Sequence, residues 1–342
     1  MTRIFRSPIT WALLVLALAA GACGGDGSST SRTSNEQDTR LKVVTTVSPI
    51  TSIVENIGGL RIELEGVIPE GVNSHTFAAT PSMAKLMAEA DLIVFNGLFL
   101  EEPTLALAKA NKRTDAMILS LGDQTVSPEE WQFDFTFPES AGNPNPHLWP
   151  DPNMGLRYAE LVHDQLAMMD PDNAAYYAEN LEGFRNRIEV LDQAIRTAVA
   201  TVPESNRKLL TYHDSWAYFA KQYGMEVVGA VQPSNFSQPS VKEVAELIDQ
   251  LKALGLPAVF GSEVFSSDVL EAIASEAGAE FVDELADDDL PGKPGDPRHT
   301  YLGLMQKNLQ AMIPALGGDA SALAGLDIGN VFDGESGAVY PQ

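Results

Sequence analysis

Cysteine is nearly absent: Cys23 is the only one in 342 residues. An intrachain disulfide is therefore excluded, and so is a thiolate metal cluster. Any metal site must be built from imidazole and carboxylate. Basic residues are scarce too, 22 Lys and Arg against 47 Asp and Glu, giving a formal net charge of −25. Nucleic-acid binding needs Lys and Arg clustered on phosphates, so that class is excluded. The same shortage argues against adhesion to anionic lipid through a basic face. An acidic surface suits a soluble protein and favours the approach of cations.

Residues 1–22 carry Arg3 and Arg6, no acid, and an apolar run from Trp11 to Ala20 that ends in small residues. The run is short for a membrane span and has the layout of a secretory signal. The stretch "LAAGAC" places Cys23 directly after Gly21 and Ala22. It resembles a bacterial lipobox, in which the cysteine is lipidated and becomes the first mature residue. The alternative is plain cleavage near Ala22, leaving a free thiol. The expectation is an exported protein, anchored through Cys23 to the outer face of the cytoplasmic membrane. Residues 23–40 are polar and Gly/Ser-rich, the composition of a flexible tether.

From Leu41 onward, short apolar runs alternate with helical patterns. Residues 41–47, 62–68, 91–97 and 116–121 read as strands, with helices after the first and at 81–90, where Pro81 suits a first turn. Residues 122–150 form a long loop, a length that is uncommon without a function. Between Asn173 and Val202, apolar residues recur at helical spacing: Tyr176, Leu181, Phe184, Ile188, Leu191, Ile195 and Val199. Such a helix spans roughly 45 Å. Strands follow at 208–212, 225–231, 257–262 and 279–283, with a last helix near 300–316. The fold class is therefore α/β, two lobes, each a mostly parallel sheet covered by helices, joined by one long connecting helix. The expected boundaries are an N-terminal lobe at 41–172, the helix at 173–203, a C-terminal lobe at 204–316 and an unassigned tail at 317–342.

Ligands of open α/β sheets bind at the carboxyl ends of strands. Four candidates meet that rule. His75 lies in the loop after residue 68, His147 ends the long loop, His213 follows strand 208–212, and Asp283 closes strand 279–283. Three neutral imidazoles and one anion make a good tetrahedral set for Zn²⁺.

The segments around these residues resemble the zinc- and manganese-binding solute-binding proteins of bacterial ABC transporters. "HTFAATPSMAKLMAEADLIVFNGLFLE" is similar to the family's first-ligand motif, "NPHLWPDPNMG" to its second, "TYHDSWAYFAKQYGM" to its third, and "VDEL…TYLGLMQKNLQAM" to its C-terminal motif. The likeness covers about Leu41 to Leu316. It implies His75, His147, His213 and Asp283 as ligands, two α/β lobes with a rigid helix between them, and delivery of metal to a membrane permease and its ATPase by a monomeric, non-catalytic protein. A histidine at position 213, rather than glutamate, favours Zn²⁺ over Mn²⁺ by ligand softness. Residues 122–146 contain no histidine, unlike the His-rich loop of many zinc members.

The remaining polar and aromatic candidates read differently. His163 reads as a helix-face residue. His299 reads as a solvated or cap-region residue and as the main rival ligand. Glu263 sits at a strand edge, where it would accept a hydrogen bond from a ligand imidazole or form a surface ion pair. Trp149 and Trp216 read as core. The acidic run 283–296 reads as a solvated loop, with a mobile lid as the other option. Two further functions stay open: a metal-dependent hydrolase with Glu263 as base, and a surface adhesin with a structural metal.

Overall fold

The computed structural model describes residues 40–264, 268–283 and 285–342. The signal segment, Cys23 and the tether up to residue 39 lie outside the described residues. Among the described residues, no helix is long and apolar enough to cross a membrane.

The first half runs β1 (Leu41–Thr45), α1 (Ser48–Gly58), β2 (Ile62–Gly66), α2 (Pro81–Glu89), β3 (Leu92–Phe95), α3 (Glu102–Asn111), β4 (Met117–Ser120), α4 (Leu121–Thr125) and α5 (Pro152–Met169). The long helix α6 (Ala174–Thr201) follows. The second half runs β5 (Lys208–Thr211), α7 (Ala217–Tyr223), β6 (Glu226–Ala230), α8 (Val241–Leu254), β7 (Ala258–Phe260), α9 (Asp268–Ala277), β8 (Glu280–Val282) and α10 (Tyr301–Ala315). Two four-stranded sheets result, ordered β2-β1-β3-β4 and β6-β5-β7-β8. Every strand pair is parallel. The two halves thus share one strand order, with the winding reversing at β1/β3 and again at β5/β7. These are the switch points beyond which a ligand site is expected.

The parallel pairing follows from composition. Strands β3 (LIVF) and β7 (AVF) are apolar and buried throughout, as sheets covered on both faces require. Helix α1 is buried along its whole length, so it serves as core as well as crossover. Helix α6 has 28 residues and spans about 42 Å. Its buried stripe is Tyr177, Asn180, Phe184, Ile188, Leu191, Ile195 and Val199. Tyr176 and Leu181 flank that stripe and are only partly buried. One continuous core joins the first sheet, α5, α6 and α10 to Leu209 and Phe260 of the second sheet. A separate, smaller core of Leu210, Tyr212, Val228, Leu251, Val259, Leu270 and Ile273 fills the outer part of the second lobe.

The tail is ordered by pairing. Val339 N donates to Leu64 O and Gly66 N donates to Val339 O, each at 2.9 Å, so the chain end lies parallel along the free edge of β2. Tyr340 donates its hydroxyl to Glu55 Oε2 at 2.5 Å. Gly183 lets the tail approach α6, since a Cβ there would stand 3.3 Å from Val331 Cβ.

Candidate metal centre

Three histidines from separate loops meet between the sheets. His75 comes from the loop after β2, His147 from the end of the segment between α4 and α5, and His213 from the residues just after β5. His75 Nε2 lies 3.2 Å from His147 Nε2 and 3.3 Å from His213 Nε2. Nitrogens bound at about 2.0–2.1 Å around a tetrahedral ion would stand about 3.3–3.4 Å apart. His75 Nε2 stands at about that spacing from each of the other two, and all three rings bring a nitrogen within 4.8 Å of one another.

Two of the rings have a reason to present Nε2. The motif around His147 ends in Asp151, which accepts a hydrogen bond from Asn153 N at 3.0 Å and caps α5, with Pro152 in the first turn. Asn145 gives its amide hydrogens to Asp134 Oδ2 (2.8 Å) and the Asp214 carbonyl (2.6 Å), which leaves its Oδ1 as an acceptor. That oxygen accepts from His147 N at 2.9 Å and lies 2.8 Å from His147 Nδ1. The proton is therefore on Nδ1 and the lone pair on Nε2. His213 Nδ1 stands 2.8 Å from Asp287 Oδ2, which orients its ring in the same way.

Electrostatics separate the three. Burial, with the charge of His213, holds His75 well below the usual imidazole range. Burial, with His213 and His75, does the same to His147. His213 is buried as well, but the charge and hydrogen bond of Asp287, with the charges of Asp288 and Asp214, outweigh burial and raise it. The surroundings thus favour the neutral form of His75 and His147, whereas Asp287 favours the charged form of His213.

The carboxylates differ from expectation. Asp283 is exposed just beyond β8 and is not among the groups that approach the histidines. Strand β8 ends at Val282, and the chain must run on before it turns inward. Leu285, Ala286 and Leu290 pack into the interior and carry Asp287 and Asp288 with them, both buried. Asp287, Asp288 and His147 bring potential ligand atoms within 4.8 Å of one another. The acidic run is therefore buried at 285–288 rather than solvated throughout. Burial and the charge of Asp287 push Asp288 up to about 7.

Glu263 sits beside the site, as its strand-edge position suggested, but not with the partner expected of it. Its Oε1 accepts from the backbone N–H groups of Asp287 (2.8 Å), Asp288 (2.9 Å) and Asp289 (3.2 Å). It braces the carboxylate loop, while Asp287 takes the imidazole. Loops of the first lobe hold the same segment from the other side. Gly71 N donates to Asp289 at 2.6 Å, Ser74 N to Asp288 at 3.4 Å, and Leu290 N donates to Glu70 at 3.2 Å.

The remaining candidates fall as follows. His163 lies on α5 against Asp164 and away from the site. His299 is buried, not solvated; its ring packs edge-on to Tyr340 and stands 3.6 Å from Glu70, and it does not join the three imidazoles. Trp149 and Trp216 are core, and Trp149 Nε1 donates to the Asp287 carbonyl at 2.7 Å. Sequence reasoning missed Asp287, Asp288, Asn145 and two aromatic rings, Phe137 and Phe236, that flank His75. The bracketing of "DDD" by Leu285, Ala286 and Leu290 was a usable signal for the acids.

Residues 43–315 match the family model described as "ZnuA: Zinc-uptake complex component A periplasmic". The manganese-binding lipoprotein MntA of Halalkalibacterium halodurans is 28% identical over 307 residues, covering 90% of this chain and 97% of that protein. The manganese ABC transporter substrate-binding lipoprotein PsaA of Streptococcus pneumoniae is 26% identical over 310 residues, covering 89% and 96%. Among solved structures, the periplasmic zinc binding protein TroA from Treponema pallidum superposes with a TM-score of 0.73 at 25% identity, covering 81% of this chain and 99% of that one. The chain belongs to this family of extracytoplasmic metal-binding components of ABC transporters.

Proposed function

We propose that this chain captures one Zn²⁺ through the Nε2 atoms of His75, His147 and His213 and a carboxylate oxygen of Asp288, and hands it to a permease driven by an ATPase. Asp287 stands behind His213 as its orienting partner. The observation that carries this reading is the convergence of three imidazoles from both lobes, with His75 Nε2 3.2 and 3.3 Å from the other two and a buried carboxylate pair within 4.8 Å of His147. Three nitrogen donors and one oxygen suit a borderline-soft ion that accepts four ligands. Mn²⁺ is the second reading. It draws on the names of two relatives and on Asp287 Oδ2, 3.9 Å from His147 Nε2, as a second hard oxygen.

The role proposed is carriage, not turnover. A hydrolase would need a free base beside the ion, and the carboxylate of Glu263 is committed to three backbone amides. The protein is placed on the outer face of the cytoplasmic membrane by the lipid on Cys23, and acts as a monomer. Loss of the protein from membranes on Cys23→Ala tests the anchor. An adhesin with a structural metal would leave metal uptake unchanged when the chain is deleted.

The deciding experiment is calorimetric titration of Zn²⁺ and Mn²⁺ into metal-stripped residues 39–342, alongside Asp288→Ala and Asp283→Ala. The expected result is one zinc per chain, bound more tightly than manganese. Asp288→Ala should weaken binding at least about 100-fold, whereas exposed Asp283→Ala should stay within about twofold. The reverse ranking of the two variants would overturn the ligand assignment, and preference for manganese would overturn the metal.

A further inference from the structure

His147 and His213 are buried, whereas His75 is only half-buried, so the path from solvent to the three nitrogens passes His75. Aromatic rings cover it there. Phe236, in the loop between β6 and α8, stacks on the His75 ring with centroids 4.5 Å apart and planes 19° from parallel. Phe137, from the first half of the chain, stands 5.5 Å from His75, 5.8 Å from His147 and 6.1 Å from Phe236. A ring supplied by the second lobe thus lies flat on a ligand supplied by the first.

The backbone beneath Phe236 is unusual. Its φ is +57°, in the left-handed region that residues with a Cβ rarely adopt. Phe236 N donates to Pro233 O at 2.8 Å, and Ser237 N to Asn235 Oδ1 at 3.1 Å, which closes the turn. Ser234, Asn235, Ser237 and Gln238 around it are exposed. A large apolar ring on a polar, exposed turn in a disfavoured conformation has its main partners across the cleft. Strain of this kind clusters at ligand clamps and switch regions. The strand before the loop and the helix after it contribute to the smaller outer core, through Val228 and Leu251.

We propose that Phe236 is the gate of the metal centre: its ring, stacked on His75 and backed by Phe137, controls how fast the ion enters and leaves, and the ion departs when the 232–240 turn lifts. The gate rests on the capture reading above. Stacking with His75 holds the ring over the opening, and the left-handed backbone supplies a restoring tendency toward the open form.

Phe236→Gly removes the ring and suits the left-handed backbone, so the turn itself should persist; Phe236→Leu and Phe236→Tyr accompany it. The first readout needs no ion. In metal-stripped protein, carbethoxylation of His75 by diethyl pyrocarbonate is followed by peptide mass spectrometry, with His163 on α5 as an internal control. The second is zinc release into excess chelator by stopped flow. The glycine variant should modify His75 and release zinc each about tenfold faster, equivalent to about 1.4 kcal/mol of lost stacking, with one ion per chain retained. Leu should fall between, and Tyr should match wild type. A His75 rate or a release rate within about twofold of wild type in the glycine variant would overturn the gate. A wild-type protein that binds no ion overturns the capture reading instead; the carbethoxylation rates then still decide whether Phe236 shields His75.

Discussion

Replacing Glu263 tests whether the carboxylate loop is held in place for the ion from behind. One oxygen of this residue accepts three backbone N–H groups, and the other lies 3.2 Å from Ser262 Oγ. Glu263→Gln keeps an acceptor and removes the charge. A bond to a charged group is worth about 1.5–3 kcal/mol against about 0.5–1.5 for a neutral one. Burial and the charges of Asp287, Asp289 and Asp288 push Glu263 well above the usual carboxylate range, however, so part of that charge is already suppressed. The net loss expected for Gln is about 1 kcal/mol, or roughly fivefold in metal affinity. Glu263→Ala leaves three amides without an acceptor, at about 1–3 kcal/mol each before water relieves some of the penalty. A net 2–4 kcal/mol, about 30- to 900-fold in Kd, should follow if ordering the loop is a condition of binding. Competition against a chromogenic chelator measures affinity, and thermal unfolding of the metal-stripped variants separates loop disorder from global loss of fold. An alanine variant that binds within about threefold of wild type would show that the three amides do not position Asp287 and Asp288 for the ion.

Affinity should fall as pH falls. His213 sits above its ordinary value and Asp288 at about 7, and both must lose their protons to ligate, whereas His75 and His147 are already neutral. Calorimetry at pH 7 in buffers of different ionisation enthalpy should show about one to two protons released per ion, and affinity unchanged between pH 8 and 5.5 would refute this. The metal-stripped protein should lose stability as pH rises. Asp151 at about 6, Glu101 and Asp288 at about 7 and Asp289 at about 8 hold protons in the folded state that the unfolded chain has released. Their contribution is present at low pH and lost as pH rises through those values. It outweighs the opposite pull of His75 and His147, which stay neutral in the fold but charge in the unfolded chain at low pH, so Tm should be higher at pH 5 than at pH 8; the opposite order would sink the argument. Tyr340→Ala removes a buried ring packed on His299 and a hydrogen bond to Glu55, and should cost about 2–4 kcal/mol in denaturant unfolding. A cost under about 0.5 kcal/mol would mean that the tail is not part of the folded unit.

The α/β alternation was legible because apolar runs as short as "LIVF" and "AVF" must be covered on both faces, and helical spacing supplies the cover. The approach of the three histidines to one another was legible because each lies in a loop beyond the carboxyl end of a strand. Asp283 lies apart from the histidines for a local reason. Residues 283–289 offer several acids, and which of them faces the site depends on where Leu285, Ala286 and Leu290 turn into the core. That turn is set by Leu304 of α10 and by Tyr340, more than fifty residues further on. Glu263 was placed correctly and paired wrongly, since its partners are backbone amides that carry no sequence signature. The tail has no periodicity to read. Its order comes from the edge of β2 and from polar partners far away in sequence, such as Asn56 with Asn330 at 3.1 Å. Phe236 was missed because its partner belongs to the other lobe.

Tight capture and release place opposite demands on such a centre, and the packing shows how one chain can meet both. Rotation of whole lobes about α6 would have to tear a core that runs unbroken from Val43 through Phe184 and Ile195 to Phe260 and Leu309. The turn carrying Phe236 has no such continuity, because its flanking elements contribute to the smaller outer core and Ser234, Asn235, Ser237 and Gln238 face water, while Gln232 at its start is buried and accepts from Thr136 Oγ1. Opening there costs one ring stack rather than a domain interface. Charge compensates the rest. On the capture reading, departure of the ion would leave Asp288 free to take up a proton, which eases the repulsion between the buried carboxylates. On the capture and gate readings proposed above, the ion would be exchanged for protons across this turn, within a frame whose first lobe, long helix and last helix share one core.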